Sequence, residues 1–231
     1  MSKLPTKPSN PAVAAFVEKV KGMTTVRAAG AAGRLMFAMD ATASREPTWD
    51  RACRIQGEMF TATQGLGALE IQLVWYRGFG EFEASPWLAS SAELVRRMTG
   101  VACHAGETQI ARVLEHAIAE TRVRKVNAVV FVGDCVEESV DRLAKLAGDL
   151  GLLGVPVFVF HEGGEAVARR CFEEIARLSG GAYCPFDSAS ADMLRDLLAA
   201  VATFAVGGRK ALEDFSRRRG GAALQLTHRL R

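Results

Sequence analysis

Between Arg34 and Val206 the chain alternates short, strongly apolar runs with longer amphipathic ones, and this constrains its fold more than any other feature. The apolar runs fall at 35–39, 69–76, 127–132 and 155–160, with a weaker one at 182–184. Leu35-Met-Phe-Ala-Met39 is apolar at every position, which reads as a strand buried on both faces; a strand with one wet face would alternate. Amphipathic segments lie at about 47–64, 91–98, 108–122, 137–150, 165–178 and 189–205. Strand followed by helix, repeated, predicts an α/β domain: a doubly wound, mostly parallel sheet with helices on both faces. Glu81-Phe-Glu83 reads as a short edge strand hairpinned to 69–76 through Gly78 and Gly80.

In such sheets the ligand crevice lies beyond the carboxyl ends of the strands, where the strand order reverses. With the order 3-2-1-4-5-6, strands 1 and 4 are neighbours at that point. Strand 1 runs straight into Asp40-Ala-Thr42-Ala-Ser44, a carboxylate and two hydroxyls at alternating positions. Hard divalent cations take oxygen ligands, and Mg2+ commonly uses one or two carboxylates and keeps waters for the rest. The same residue types are also common helix N-caps, and Ser44 precedes Arg45-Glu46-Pro47, with Pro tolerated in a first helical turn. Strand 4 ends in Gly133-Asp134, which brings a second carboxylate to the same edge. Thr108 lies on the Gly-containing loop Ala105-Gly106-Glu107 ahead of the helix that feeds strand 4. Each residue has a capping alternative; their coincidence on two adjacent strand ends and the loop between them favours a shared ligand.

These residues resemble the von Willebrand factor A (VWA) family, whose metal-ion-dependent adhesion site (MIDAS) combines Asp-x-Ser-x-Ser, a later Thr and an Asp after strand 4. Asp40, Thr42 and Ser44 match the first element, Thr108 the second and Asp134 the third. Thr42 stands where the first Ser is usual, and Glu107 is an unusual neighbour for the Thr. Trp49 and the segment after it look like the family's first helix. The resemblance covers roughly 34–206. It implies a Rossmann-like fold and a Mg2+ ion (or Mn2+ or Ca2+) held by these five residues, directly or through water. It further implies that an acidic residue of a protein partner completes the coordination, and that the site binds rather than catalyses. Small VWA proteins often serve larger machines such as ATPase complexes.

A phosphatase of the haloacid-dehalogenase (HAD) type is the competing enzyme reading, since it too places an Asp nucleophile after strand 1. Gly133-Asp134-Cys-Val-Glu137-Glu138 imitates its later acidic motif. Thr42, however, occupies the place of the general acid, and Lys125 precedes strand 4 where a lysine should follow a second strand. A third reading keeps the VWA fold without the metal. Gly65-Leu-Gly67 precedes a strand and lacks a third glycine, so it is no phosphate loop. His161-Glu162-Gly-Gly-Glu165 lacks the second histidine of a zincin. Cys103, Cys135, His104 and His161 are given no role.

At 231 residues, 49% hydrophobic and 24% charged, the chain has the size and composition of one globular domain with extensions. No apolar run approaches the roughly 18 residues of a membrane span, and the start lacks a signal-peptide core. The five cysteines are scattered without a Cys-x-x-Cys pair, which argues against a disulfide framework or a zinc site and for a cytoplasmic protein. Charge divides the chain in three. Residues 1–33, an extension with a short amphipathic helix at 12–22, carry five Lys/Arg against one Glu. Residues 207–231, a basic tail, carry seven against two acids. The net +3 less these excesses of four and five leaves the domain at 34–206 near −6. Phe215 alone makes no aromatic platform among the basic residues of the tail, so the tail suggests an electrostatic contact with an acidic partner and gives no case for nucleic acid.

Overall fold

The computed structural model describes residues 32–46, 69–186 and 200–206. The expected helices at 12–22 and 47–64, the domain boundary at 33/34 and the basic tail lie outside or at the edge of these residues. So does most of the segment 189–205; residues 200–206 are described and helical.

Among the described residues six strands form one sheet: β1 (Gly33–Asp40), β2 (Leu69–Arg77), β3 (Glu81–Ala84), β4 (Ala128–Gly133), β5 (Val157–Glu162) and β6 (Ala182–Phe186). Their order is β3-β2-β1-β4-β5-β6, as expected, with every pair parallel except the β2–β3 hairpin. Among the described residues four helices connect them: α1 (Ser91–Thr99), α2 (Ile110–Val123), α3 (Val140–Leu152) and α4 (Ala166–Leu178). Among the described residues no helix is long and apolar enough to cross a membrane.

All eight residues of β1 pair with β2, in the register Gly33↔Leu69 through Asp40↔Tyr76, while Leu35–Met39 pair with β4 on the other side. Such a strand has no wet face or edge, which is why its run Leu35–Met39 is uninterrupted by polar residues. Alternation splits it between two cores. Leu35, Phe37 and Met39 pack with Val130, Phe158, Leu94 of α1 and Phe204. Met36 and Ala38 pack with Val74, Phe131 and the apolar faces of α2, α3 and α4. Each large side chain so buried contributes about 1.5–3 kcal/mol. Both faces are therefore covered, and the carboxyl edge of the parallel strands is left to carry polar chemistry.

Two helices begin later than the apolar periodicity predicts, α2 at Ile110 instead of 108 and α3 at Val140 instead of 137. The residues withheld from them, Thr108 and Glu137–Glu138, hydrogen-bond to each other or to the first turn of α2 across the edge of the sheet.

Candidate metal centre

Asp40 closes β1 on the face that carries Met36 and Ala38, at 0% exposure. Its Oδ1 accepts the Thr42 N–H at 2.8 Å, which folds the chain back over the strand end. Its Oδ2 accepts the hydroxyl of Tyr76, its partner in the β1–β2 register, at 2.9 Å. The Thr42 and Ser44 hydroxyls share a hydrogen bond of 3.2 Å. Thr42 occupies the N-cap position of the single 3-10 turn Ala43–Arg45 but makes no side-chain capping bond, so its hydroxyl serves the Asp40 loop and not the turn. Burial raises the Asp40 carboxyl above the ordinary carboxylate range. The Thr42 hydrogen bonds and the Arg45 charge oppose that rise, whereas Asp134 adds to it.

The end of β4 meets this loop because Gly133 has no side chain. A Cβ there would lie 2.8 Å from the Phe131 ring and 3.7 Å from the Asp40 Cβ. The chain leaves β4 with Asp134 and Cys135, and the ligand atoms of Asp40, Asp134 and Cys135 all lie within 4.8 Å of one another. Asp134 Oδ1 is buried and has no hydrogen-bond partner. Burial and the charges of Asp134 and Asp40 push the Cys135 thiol up to about 12. An orphaned carboxylate oxygen beside a second buried carboxylate is costly in the absence of a cation. The donor set fits a divalent ion.

Thr108 reaches this edge on a loop that is closely pinned. His104 N–H donates to the Ala41 carbonyl at 3.1 Å, so the loop runs alongside Thr42. Gly106 then passes over the β2–β3 turn, where a Cβ would lie 2.1 Å from the Gly78 carbonyl oxygen. Thr108 N–H donates to Glu137 Oε2 at 2.8 Å, and the Thr108 hydroxyl accepts the Glu137 N–H at 3.0 Å. The Thr108 side chain also hydrogen-bonds the Glu138 carboxylate, which takes the N–H groups of Ile110 and Ala111. The first turn of α2 is thus capped from the β4–α3 loop; Thr108 does not cap it, and Gln109, at the N-cap position, makes no capping bond. A hydroxyl has two lone pairs and one proton, so Thr108 retains one lone pair for a further ligand.

Two other side chains at this edge were given no role by sequence. Arg45, 1% exposed, donates through Nη1 to the carbonyls of Asp40 and Val132, both at 3.2 Å. Its Nη2 and Nε donate to Glu162 Oε2 at 2.9 and 3.2 Å. One guanidinium therefore ties together the ends of β1, β4 and β5. A lone arginine after a strand reads as solvated, and nothing local reveals Glu162 as its partner. His161 is the other: its Nε2 lies 3.2 Å from the Asp134 carbonyl and its Nδ1 2.9 Å from the Tyr183 hydroxyl. Burial lowers its pKa, which favours the neutral ring with Nε2–H donating to Asp134. Its place directly after the apolar run 155–160 was the available signal, and the register sets it opposite Gly133.

No family model and no curated protein sequence matches the chain. Solved structures do. The VWA domain of SpRpn10 superposes with a TM-score of 0.58 at 12% identity, over 73% of this chain and 94% of that one. The chain has the VWA fold. An aerotolerance-related membrane protein from Bacteroides fragilis NCTC 9343 matches with a TM-score of 0.56 at 15% identity, over 72% of this chain and 98% of that one. The pilus adhesin SpaC from Lactobacillus rhamnosus GG matches at 0.60 and 12% identity, over 84% of this chain but 31% of that one. In this VWA fold Asp40 and Asp134 occupy the ends of the two central strands that the order β2-β1-β4-β5 places side by side.

Proposed function

We propose that the chain is a protein-binding module acting through a divalent cation, Mg2+, Mn2+ or Ca2+, at the carboxyl edge of its VWA fold. Asp40 and Asp134 supply the charge, and Thr42, Ser44 and Thr108 supply hydroxyls, each directly or through water. The observation that carries this reading is the buried, unpartnered Asp134 Oδ1 beside the buried Asp40 carboxylate. When bound, the ion supplies an electrophilic position for an acidic residue of the partner. The protein's own groups hold the ligands still: Tyr76 and Thr42 N–H fix Asp40, and Arg45 fixes the strand ends. No catalytic residue is part of this reading. Its fold is shared with a pilus adhesin, which supports an interaction role. An ATPase-type assembly is one class of partner, and the unpaired Cys103, Cys135, Cys171 and Cys184 support a reducing, cytoplasmic setting.

Water-proton relaxation of chelator-stripped protein loaded with Mn2+ tests this directly. Wild type should enhance relaxation through exchangeable water on the bound ion, and Asp134→Asn should not. A glutamate-containing peptide should then lower the enhancement as its carboxylate displaces water. Absence of enhancement in wild type would remove the metal from the reading and leave a plain interaction module.

A further inference from the structure

We propose that Cys135 is a further ligand of the same ion, adding a thiolate to the oxygen donors, so that the site also takes the borderline metals Zn2+ and Co2+. This rests on the reading of a cation at Asp40 and Asp134 and adds a donor to it.

Three observations converge on the sulfur. Cys135 Sγ lies within 4.8 Å of ligand oxygens of both Asp40 and Asp134, and this is the group of potential metal-binding side chains found among the described residues. Ligand atoms about a tetrahedral Zn2+, each roughly 2.0–2.3 Å from it, are about 3.3–3.8 Å apart, so the widest pair needs a closure of at most about 1–1.5 Å. Asp134 Oδ1 is buried without a partner, so one oxygen is ready for an ion, and the Cys135 thiol already hydrogen-bonds the Asp134 side chain, a bond that ligation replaces. Cys135 itself is only half-buried, which leaves an approach from solvent that the fully buried Asp40 does not offer.

As the sulfur–metal bond forms, the thiol proton leaves to solvent and the ligand becomes a thiolate. Thiolate donors favour Zn2+ and Co2+ over Mg2+ and Ca2+, which prefer oxygen. Affinity order alone does not test the proposal, because most mixed sites bind Zn2+ more tightly than Mn2+. Direct detection of sulfur ligation does.

Chelator-stripped wild type, Cys135→Ser and Cys103→Ser are titrated with Co2+ under reducing conditions and followed by absorption and calorimetry. The expected result is a sulfur-to-cobalt charge-transfer band in wild type and Cys103→Ser, bleached by Zn2+. Cys135→Ser should lack the band and bind Co2+ at least about tenfold more weakly. Co2+ bound by wild type without the band would overturn thiolate ligation while leaving the cation site standing. A band that persists in Cys135→Ser would assign the sulfur elsewhere and also overturn it. Failure of wild type to bind either Co2+ or Mn2+ would remove both this proposal and the cation on which it rests.

Discussion

The Tyr76 hydroxyl donates to Asp40 Oδ2 at 2.9 Å, level with it across the β1–β2 pairing, while the Thr42 N–H holds Oδ1 from the far side. The carboxylate is thereby oriented before any ligand arrives. Burial together with the Asp40 charge keeps the Tyr76 hydroxyl protonated far above its usual range, so it remains a donor.

Tyr76→Phe should therefore cost about 1–3 kcal/mol, the penalty of leaving a buried acceptor short of its donor. The ring itself, stacked 6.4 Å from Phe131, stays in place. Urea unfolding measures the loss; an unchanged midpoint would mean that Asp40 finds another donor.

Glu162→Ala should cost about 3 kcal/mol, at the low end of what is lost when a buried ion pair loses one member. It takes the carboxylate from Arg45, which keeps its bonds to the Asp40 and Val132 carbonyls. Denaturant unfolding of the variant against wild type checks the figure. A loss under about 0.5 kcal/mol would show that Arg45 contributes little to joining the strand ends.

Two glycines should respond in opposite senses to alanine. At Gly106 the new Cβ meets the Gly78 carbonyl oxygen at 2.1 Å, so Gly106→Ala should displace the Thr108 loop at a cost of about 1–3 kcal/mol. At Gly148, inside α3, nothing lies within 4 Å, and the substitution should stabilise by about 0.5–1 kcal/mol. Thermal unfolding of the pair reads both signs in one experiment.

His116 should make stability depend on pH in the mildly acidic range. Its Nε2 lies 3.0 Å from Gln72 Oε1, and its ring packs edge-on against Phe82 at 5.7 Å. Gln72 Nε2 already donates to Ser85, which leaves Oε1 as the acceptor and the His116 Nε2–H as the donor. Burial lowers the His116 pKa below the usual 6.5, with Glu120 pulling the other way. The unfolded chain then takes up this proton more readily than the folded one. The contribution is full above 6.5 and is lost as pH falls through the lower, folded value. His116→Gln should flatten this part of the stability–pH curve; an identical curve would assign the dependence to other groups.

The parts of this molecule that were legible in its sequence are those whose cause is local. The apolar runs that became β1, β4 and β5 announce a doubly covered sheet because no polar residue interrupts them. Asp40 and Asp134 were legible because each directly follows or closes such a run, which fixes its place at the sheet's edge. The Arg45–Glu162 pair was not, since its members lie 117 residues apart and meet only once β1 and β5 flank β4. The starts of α2 and α3 were misplaced by two and three residues because Thr108 and Glu137 bond to each other across the edge, a tertiary contact that helical periodicity does not encode.

The most direct measurement is calorimetric titration of chelator-stripped protein with Mn2+ and Mg2+, comparing wild type with Asp40→Asn and Asp134→Asn. Asparagine at 40 keeps an oxygen for the Thr42 N–H, so loss of charge is separated from loss of fold. The account predicts one saturable site in wild type, tighter for Mn2+ than for Mg2+, and no saturable heat in either variant. No saturable binding in wild type, or binding that both variants retain, would contradict it.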